Sequence, residues 1–194
     1  MDKKSNLLAK VIRIITVPPI MVTILIIILS MTRKDIFRNE TEIVLSIIFL
    51  GIIPVLAYPL QPLVPGFKGK GREGQRSLAF ILTLVGYVFA AVMGYLIGVG
   101  DNLQLIYMTY VMSAVLLTVM NRILHIRASG HVCSVTGPLI FLIYFTGWKA
   151  LLPCMAVGAG SIWSSLKLKR HTARELTMGS LICIISFGCA WVLI

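Results

Sequence analysis

Apolar runs of close to twenty residues recur along the whole chain, and the charges are gathered into the short segments between them. A bilayer core takes about 20 apolar helical residues to cross. Within it only helices and closed barrels satisfy their own backbone hydrogen bonds. The runs are continuous rather than alternating, so they predict helices. The expected spans are 9–31, 43–60, 78–100, 103–124, 131–148, 149–164 and 174–194. The fold class this predicts is all-α: a polytopic integral membrane bundle of six to seven transmembrane helices, with residues 1–194 forming a single domain. Pro18-Pro19 predicts an irregular or kinked start to the first span, which neighbouring helices can absorb. The fifth and sixth spans are short and meet at a turn through Gly147-Trp148-Lys149.

Composition agrees. Of 194 residues, 58% are hydrophobic and 13% charged, against about half and about a quarter in soluble domains. The net charge of +11 would suggest nucleic acid in a soluble protein. Here the bases sit between apolar runs, where topology and anionic ligands account for them and no nucleic-acid partner is expected. The cysteines, Cys133, Cys154, Cys183 and Cys189, stand singly in or beside apolar stretches, without zinc-ligand or disulfide-framework spacing. The basic N-terminus leads into an apolar run with no small-x-small cleavage site, which predicts a retained membrane segment.

Three polar segments interrupt the pattern: Lys68–Arg76, Ser129-Gly130-His131, and His171 to Glu175. Two spans precede the first, two separate it from the second, and two more separate that from the third. Parity therefore puts all three on one membrane face, with the N-terminus. The opposite face carries Arg33, Lys34, Arg38 and Lys149 against Asp35, Glu40, Glu42 and Asp101, so the whole +11 lies on the first face. The positive-inside rule makes that face cytoplasmic and the chain a multi-pass protein of the cell membrane.

His171 and Glu175 are four apart at the start of the last helix, on one face. A carboxylate there can hold one imidazole nitrogen and leave the other free as nucleophile or base. The plainer reading is a histidine at a helix entry with an acid complementing the helix dipole. Ser129-Gly130-His131 opens a helix, where free amides seat phosphate and glycine lets a ligand approach. Ser129 suits either a cap or a phosphate donor. An ordinary capped helix start is the bland alternative. His125 has no evident partner and reads as interfacial. The Lys68–Arg76 segment joins four bases to three glycines, a composition that fits either a tetrahedral anion or a solvated positive-inside loop. Lys167, Lys169 and Arg170 admit the same two readings.

Order and spacing together resemble the type 2 phosphatidic acid phosphatase superfamily. Its first motif is Lys, six residues, Arg-Pro. The second is Pro-Ser-Gly-His. The third is Ser-Arg, five residues, His, three residues, Asp, with Gly four further on. Here the second is Ala128-Ser129-Gly130-His131, and the third is Ser164, His171, Glu175 and Gly179 at family spacing. The first is divergent: five residues separate Lys70 from Arg76, Ser77 stands for Pro, and Lys-Gly-Arg-Glu-Gly-Gln-Arg looks like a variant with an Arg-Glu-x-x-Arg core. Ser165 stands for the third motif's Arg, so Lys167, Lys169 or Arg127 would have to supply that charge. The resemblance covers about residues 65–180.

The resemblance implies a metal- and cofactor-independent phosphatase acting on a lipid or isoprenoid phosphate or diphosphate. His171 would be the nucleophile forming a phosphohistidine, Glu175 would orient it, and His131 would protonate the leaving group. Lys70, Arg72, Arg76, Arg127, Ser129, Gly130 and Lys167 would bind phosphate. Substrate and membrane lipids are the expected partners. The competing readings are a transferase passing the phosphoryl or headgroup to another alcohol, and a degenerate relative that binds or transports anionic lipid without turnover. Orientation is open to test: a single cysteine in the loop around Gly69, in a cysteine-free background, should react with impermeant maleimide from the cytoplasmic side. Labelling only from outside would reverse the topology.

Overall fold

The computed structural model describes residues 3–194, and every one of their regular elements is helical. Helices α1 (Lys3–Ile15) and α2 (Pro18–Thr32) are separate rods bent by 59°. The expected span 9–31 is thus a broken pair, with the kink at Pro18-Pro19 where the sequence predicts it. Pro18 and Pro19 lack amide hydrogens and open α2, where a missing donor costs nothing. Then follow α3 (Glu40–Leu60), α4 (Gly71–Ile97), α5 (Asp101–Ile123), α6 (Gly130–Thr146), α7 (Leu151–Lys167) and α8 (Ala173–Leu193). Short π-helical turns lie at Ile48–Ile52 within α3 and at Val119–Ile123 ending α5.

Five helical stretches are long and apolar enough to cross a membrane, and the bent α1–α2 pair adds a sixth. One of the five, Gly130–Lys167, is not a single rod. Gly147 takes φ +76°, and a Cβ built on Gly158 would lie 3.4 Å from Leu139 Cδ1. Those two residues can only meet if α6 and α7 fold back on each other. Arg72 and Arg76 also move: α4 begins at Gly71, so the arginines expected in a flexible loop belong to its first turns.

Helix α5 is the axis of the bundle. It packs on α4, α6 and α8, while α2 lies on α6, α3 on α2 and α4, and α1 on α7. The core between them holds Leu25, Leu29, Leu103, Ile106, Tyr110 and Phe141. Apolar burial gives helices little attraction in lipid, so close approach through small residues matters more. Gly86 abuts the carbonyl of Phe49, and Gly94 abuts the Tyr107 ring. A buried hydrogen bond of 2.6 Å between Ser46 Oγ and Tyr107 Oη ties α3 to α5. The outward faces are apolar, as Ile81, Val85, Phe89, Val92 and Leu96 of α4 illustrate. Such a stripe is compatible with a helix that faces lipid.

The two ends of the bundle differ. At one, Arg33 pairs with Asp35 at 2.8 Å and donates to Phe145 O, Arg38 donates to Gly98 O, and Tyr95, Trp148 and Trp191 stand exposed in the manner of an interfacial belt. The other end gathers the break between α1 and α2, the start of α6, the end of α7 and the start of α8. The starts of α6 and α8 are locked by the tightest helix contact here. Gly179 of α8 sits on the backbone of Ser129, where a Cβ would collide with the Ser129 carbonyl, and the Ser129 N–H donates to Glu175 O at 2.9 Å. Gly179→Ala must push α8 away from α6. Overpacking of this kind costs about 1–3 kcal/mol, so thermal unfolding in detergent should show a clear loss, whereas Gly188→Ala, in open space, should show none.

Candidate active site

The second polar end holds an open pocket of about 440 Å³ lined by Arg127, Leu166, Lys169, Arg170, His171, Thr172 and Glu175. Local folding sets each of these. Helix α7 closes in a Schellman arrangement, with Arg170 N–H bonded to Ser165 O and Lys169 N–H to Leu166 O, both at 3.0 Å. Lys169 takes the left-handed conformation, φ +49°, that such a stop requires. The chain then turns into α8, whose start is a capping box: Thr172 Oγ1 accepts from Glu175 N–H and Glu175 Oε2 accepts from Thr172 N–H. That satisfies two backbone donors and fixes the Glu175 carboxylate.

The same carboxylate bonds His171 Nδ1 at 2.8 Å. A carboxylate oxygen only accepts, so Nδ1 carries a hydrogen and, in the neutral ring, Nε2 keeps its lone pair. Glu175 Oε1 faces Arg127 Nε at 3.4 Å. Arg127 is 81% exposed there, so this pair holds it loosely. Its loop is held better: Asn121 at the end of α5 bonds Ala128 N–H at 2.9 Å and Ala128 O at 3.3 Å. His125, with φ +54°, ends that helix and is exposed.

His131 enters from α6. Ser129 caps this helix by accepting from Val132 N–H, and it is fully buried. Its hydroxyl is thus occupied by the fold. The amides of Gly130 and His131, in the first turn, have no partner within the helix. His131 Nε2 lies 3.3 Å from Thr16 Oγ1. The Thr16 hydroxyl already donates to Ile12 O at 2.8 Å, so it can only accept from His131. Nε2 of His131 therefore bears a proton, the complement of His171. The two rings bond different partners, and His131 lies within electrostatic reach of both His171 and Arg13.

The phosphate-binding expectations divide. Arg127 lines the pocket; Ser129, whose N–H bonds the Glu175 carbonyl, and Gly130 beside it stand outside the lining. Arg76 lies within electrostatic reach of Arg13. Lys70 precedes α4 with its ammonium over the Phe67 ring, 5.9 Å from the centroid. Among the described residues Arg72 and Lys167 form no hydrogen bond or ion pair through their side chains, and Lys167 is not part of the pocket wall, where Lys169 and Arg170 stand instead. Sequence reading passed over Arg13, Thr16 and Asn121. The available signal for Arg13 was a lone arginine near the end of an apolar run. Among the described residues no group of three or more His, Cys, Asp or Glu side chains gathers to hold a metal.

No protein-family model matches the chain, and no curated protein or solved structure shows significant similarity to it. The geometry implies a measurable tautomer. In ¹⁵N-histidine NMR of the detergent-solubilised protein, His171 should be protonated at Nδ1 and bare at Nε2 in its neutral form. Glu175→Gln should abolish that preference, while Thr172→Ala should leave it and lower helix stability by about 1 kcal/mol.

Proposed function

We propose that this chain is a membrane-embedded phosphatase of the type 2 phosphatidic acid phosphatase kind, hydrolysing a lipid or isoprenoid phosphate or diphosphate. The observation that carries the reading is the 2.8 Å His171–Glu175 bond. It leaves a basic imidazole nitrogen in a pocket walled by Arg127, Lys169 and Arg170. In this reading His171 Nε2 attacks phosphorus and the P–O bond to the leaving group breaks. The departing oxygen takes a proton from His131 in its imidazolium form, which leaves that ring neutral. Water then attacks the phosphohistidine, giving its proton to His131 as the P–N bond breaks, so both rings return to their starting states. Arginine forks and the open amides of Gly130 and His131 offset charge on the phosphoryl oxygens.

A lipid substrate is supported by position. The pocket lies at the end of apolar helices, where a headgroup reaches the bases while its tail stays in the bilayer. An apolar groove of about 350 Å³ between α2 and α3, lined by Ile20, Ile24, Ile52, Val55 and Leu56, begins at Pro19, three residues from Thr16. It suits an acyl or prenyl chain. The capping box favours the competing reading, a non-catalytic binder of anionic lipid, because it accounts for Glu175 without chemistry.

Phosphate release from a panel of lipid and isoprenoid phosphates in detergent separates the two. Activity should persist in EDTA, be blocked by vanadate, and fall to background in His171→Ala. Glu175→Ala should lose about 10²–10⁴-fold, and robust turnover by His171→Ala would sink the nucleophile assignment. A protein that binds these lipids and releases no phosphate is the non-catalytic binder.

A further inference from the structure

Arg13 lies in the last turn of α1, more than a hundred residues from the pocket in sequence, and its Nη1 donates to Ser165 Oγ at 3.0 Å. Ser165 is fully buried in the last turns of α7, immediately before the Schellman turn that presents Lys169 and Arg170. None of the ion pairs among the described residues involves Arg13. Its charged neighbours are Arg170 and Arg76, both of its own sign, and it also lies beside His131. A half-buried guanidinium that meets a neutral hydroxyl and two more arginines has donors to spare and charge repulsion to offset. An anion among them supplies both needs, and a tetrahedral phosphate matches the fork geometry of guanidinium groups.

Helix α1 is built to hold that position. Its outer face is apolar, with Leu7, Leu8, Val11, Ile14 and Ile15 all exposed, and its inner face carries Ala9, Arg13 and Thr16. The polar pair looks inward: Arg13 to Ser165 and Thr16 to His131. The 59° break from α2 turns the helix away from the run of the span, and α1 packs along α7, the helix whose end presents Lys169 and Arg170 to the pocket.

We propose that Arg13 is a ligand for the substrate's phosphoryl group, held in place by Ser165, and that α1 is therefore a wall of the site rather than only a membrane anchor. This rests on the phosphatase reading for the identity of the substrate, but anion binding can be measured without turnover.

The test uses the full chain in detergent and in nanodiscs. Binding of inorganic phosphate and of a monoalkyl phosphate is titrated for the native protein, Arg13→Ala, Arg13→Lys, Lys10→Ala and the double variant Arg13→Ala with Ser165→Arg. Arg13→Ala should weaken phosphate binding by about tenfold or more, the loss of one charged hydrogen bond. Arg13→Lys, which keeps the charge and the fold, should fall between the two. Lys10→Ala removes an exposed charge from the same helix and should change nothing. The double variant delivers a guanidinium from α7 into the space Arg13 vacated, and it should recover binding that Arg13→Ala lost. Affinity for both ligands assigns the phosphate group itself as the determinant, and affinity for the monoalkyl phosphate alone assigns the lipid headgroup. Undiminished binding by Arg13→Ala, or failure of the native protein to bind either ligand, overturns the proposal. Binding that depends on Arg13 in a protein that hydrolyses no phosphate ester would refute the phosphatase and leave the Arg13 site standing.

Discussion

The joint between α6 and α8 is the constraint on which the polar end depends. The Ser129 amide donates to the Glu175 carbonyl, and Gly179 has no side chain to keep the two helices apart. One backbone hydrogen bond and one missing methyl thus fix the distance between the helix that starts with His131 and the helix that starts at His171. In lipid, where apolar side chains gain little by leaving the solvent, such close backbone contacts are a main source of helix attraction.

Around the joint, each functional side chain also does structural work. Glu175 completes a capping box and holds His171 with the same oxygen. Ser129 caps α6 with its hydroxyl and ties α8 with its amide. Thr16 returns its proton to its own helix and so can only accept from His131. These shared roles force complementary tautomers on the two histidines, one with a free nitrogen and one holding a proton. They also explain why His171 and Glu175, read as a pair four residues apart, fit both a helix start and a catalytic dyad. Both descriptions hold for the same atoms.

Sequence patterns exposed much of this. The apolar runs of α3, α4, α5 and α8 were legible because a membrane span must be apolar on every face, which leaves a signal that needs no periodicity. Parity put the His131 and His171 segments at one end, and contacts between Ser129 and Glu175 place them there. The boundary errors have local causes. Gly71 and Gly74 suggested a flexible loop, but Gly74 lies against the Phe67 carbonyl and Gln61, so glycine there permits packing within a helix. The break in the first span was legible as well, because Pro18 and Pro19 interrupt its apolar run.

Hydropathy and segment spacing thus determined on their own that the chain is all-helical, with helices long and apolar enough to cross a membrane and its two histidine-bearing segments at one end, because those properties depend on residues near one another in sequence. Only the tertiary structure decided which bases stand together. Lys167 was expected at the site and Lys169 and Arg170 line it, since the left-handed turn at the end of α7 chooses which side chains face the pocket. Arg13 joins Ser165 across 152 positions. No local pattern encodes a contact of that range; it exists because a proline break tilts α1 against α7.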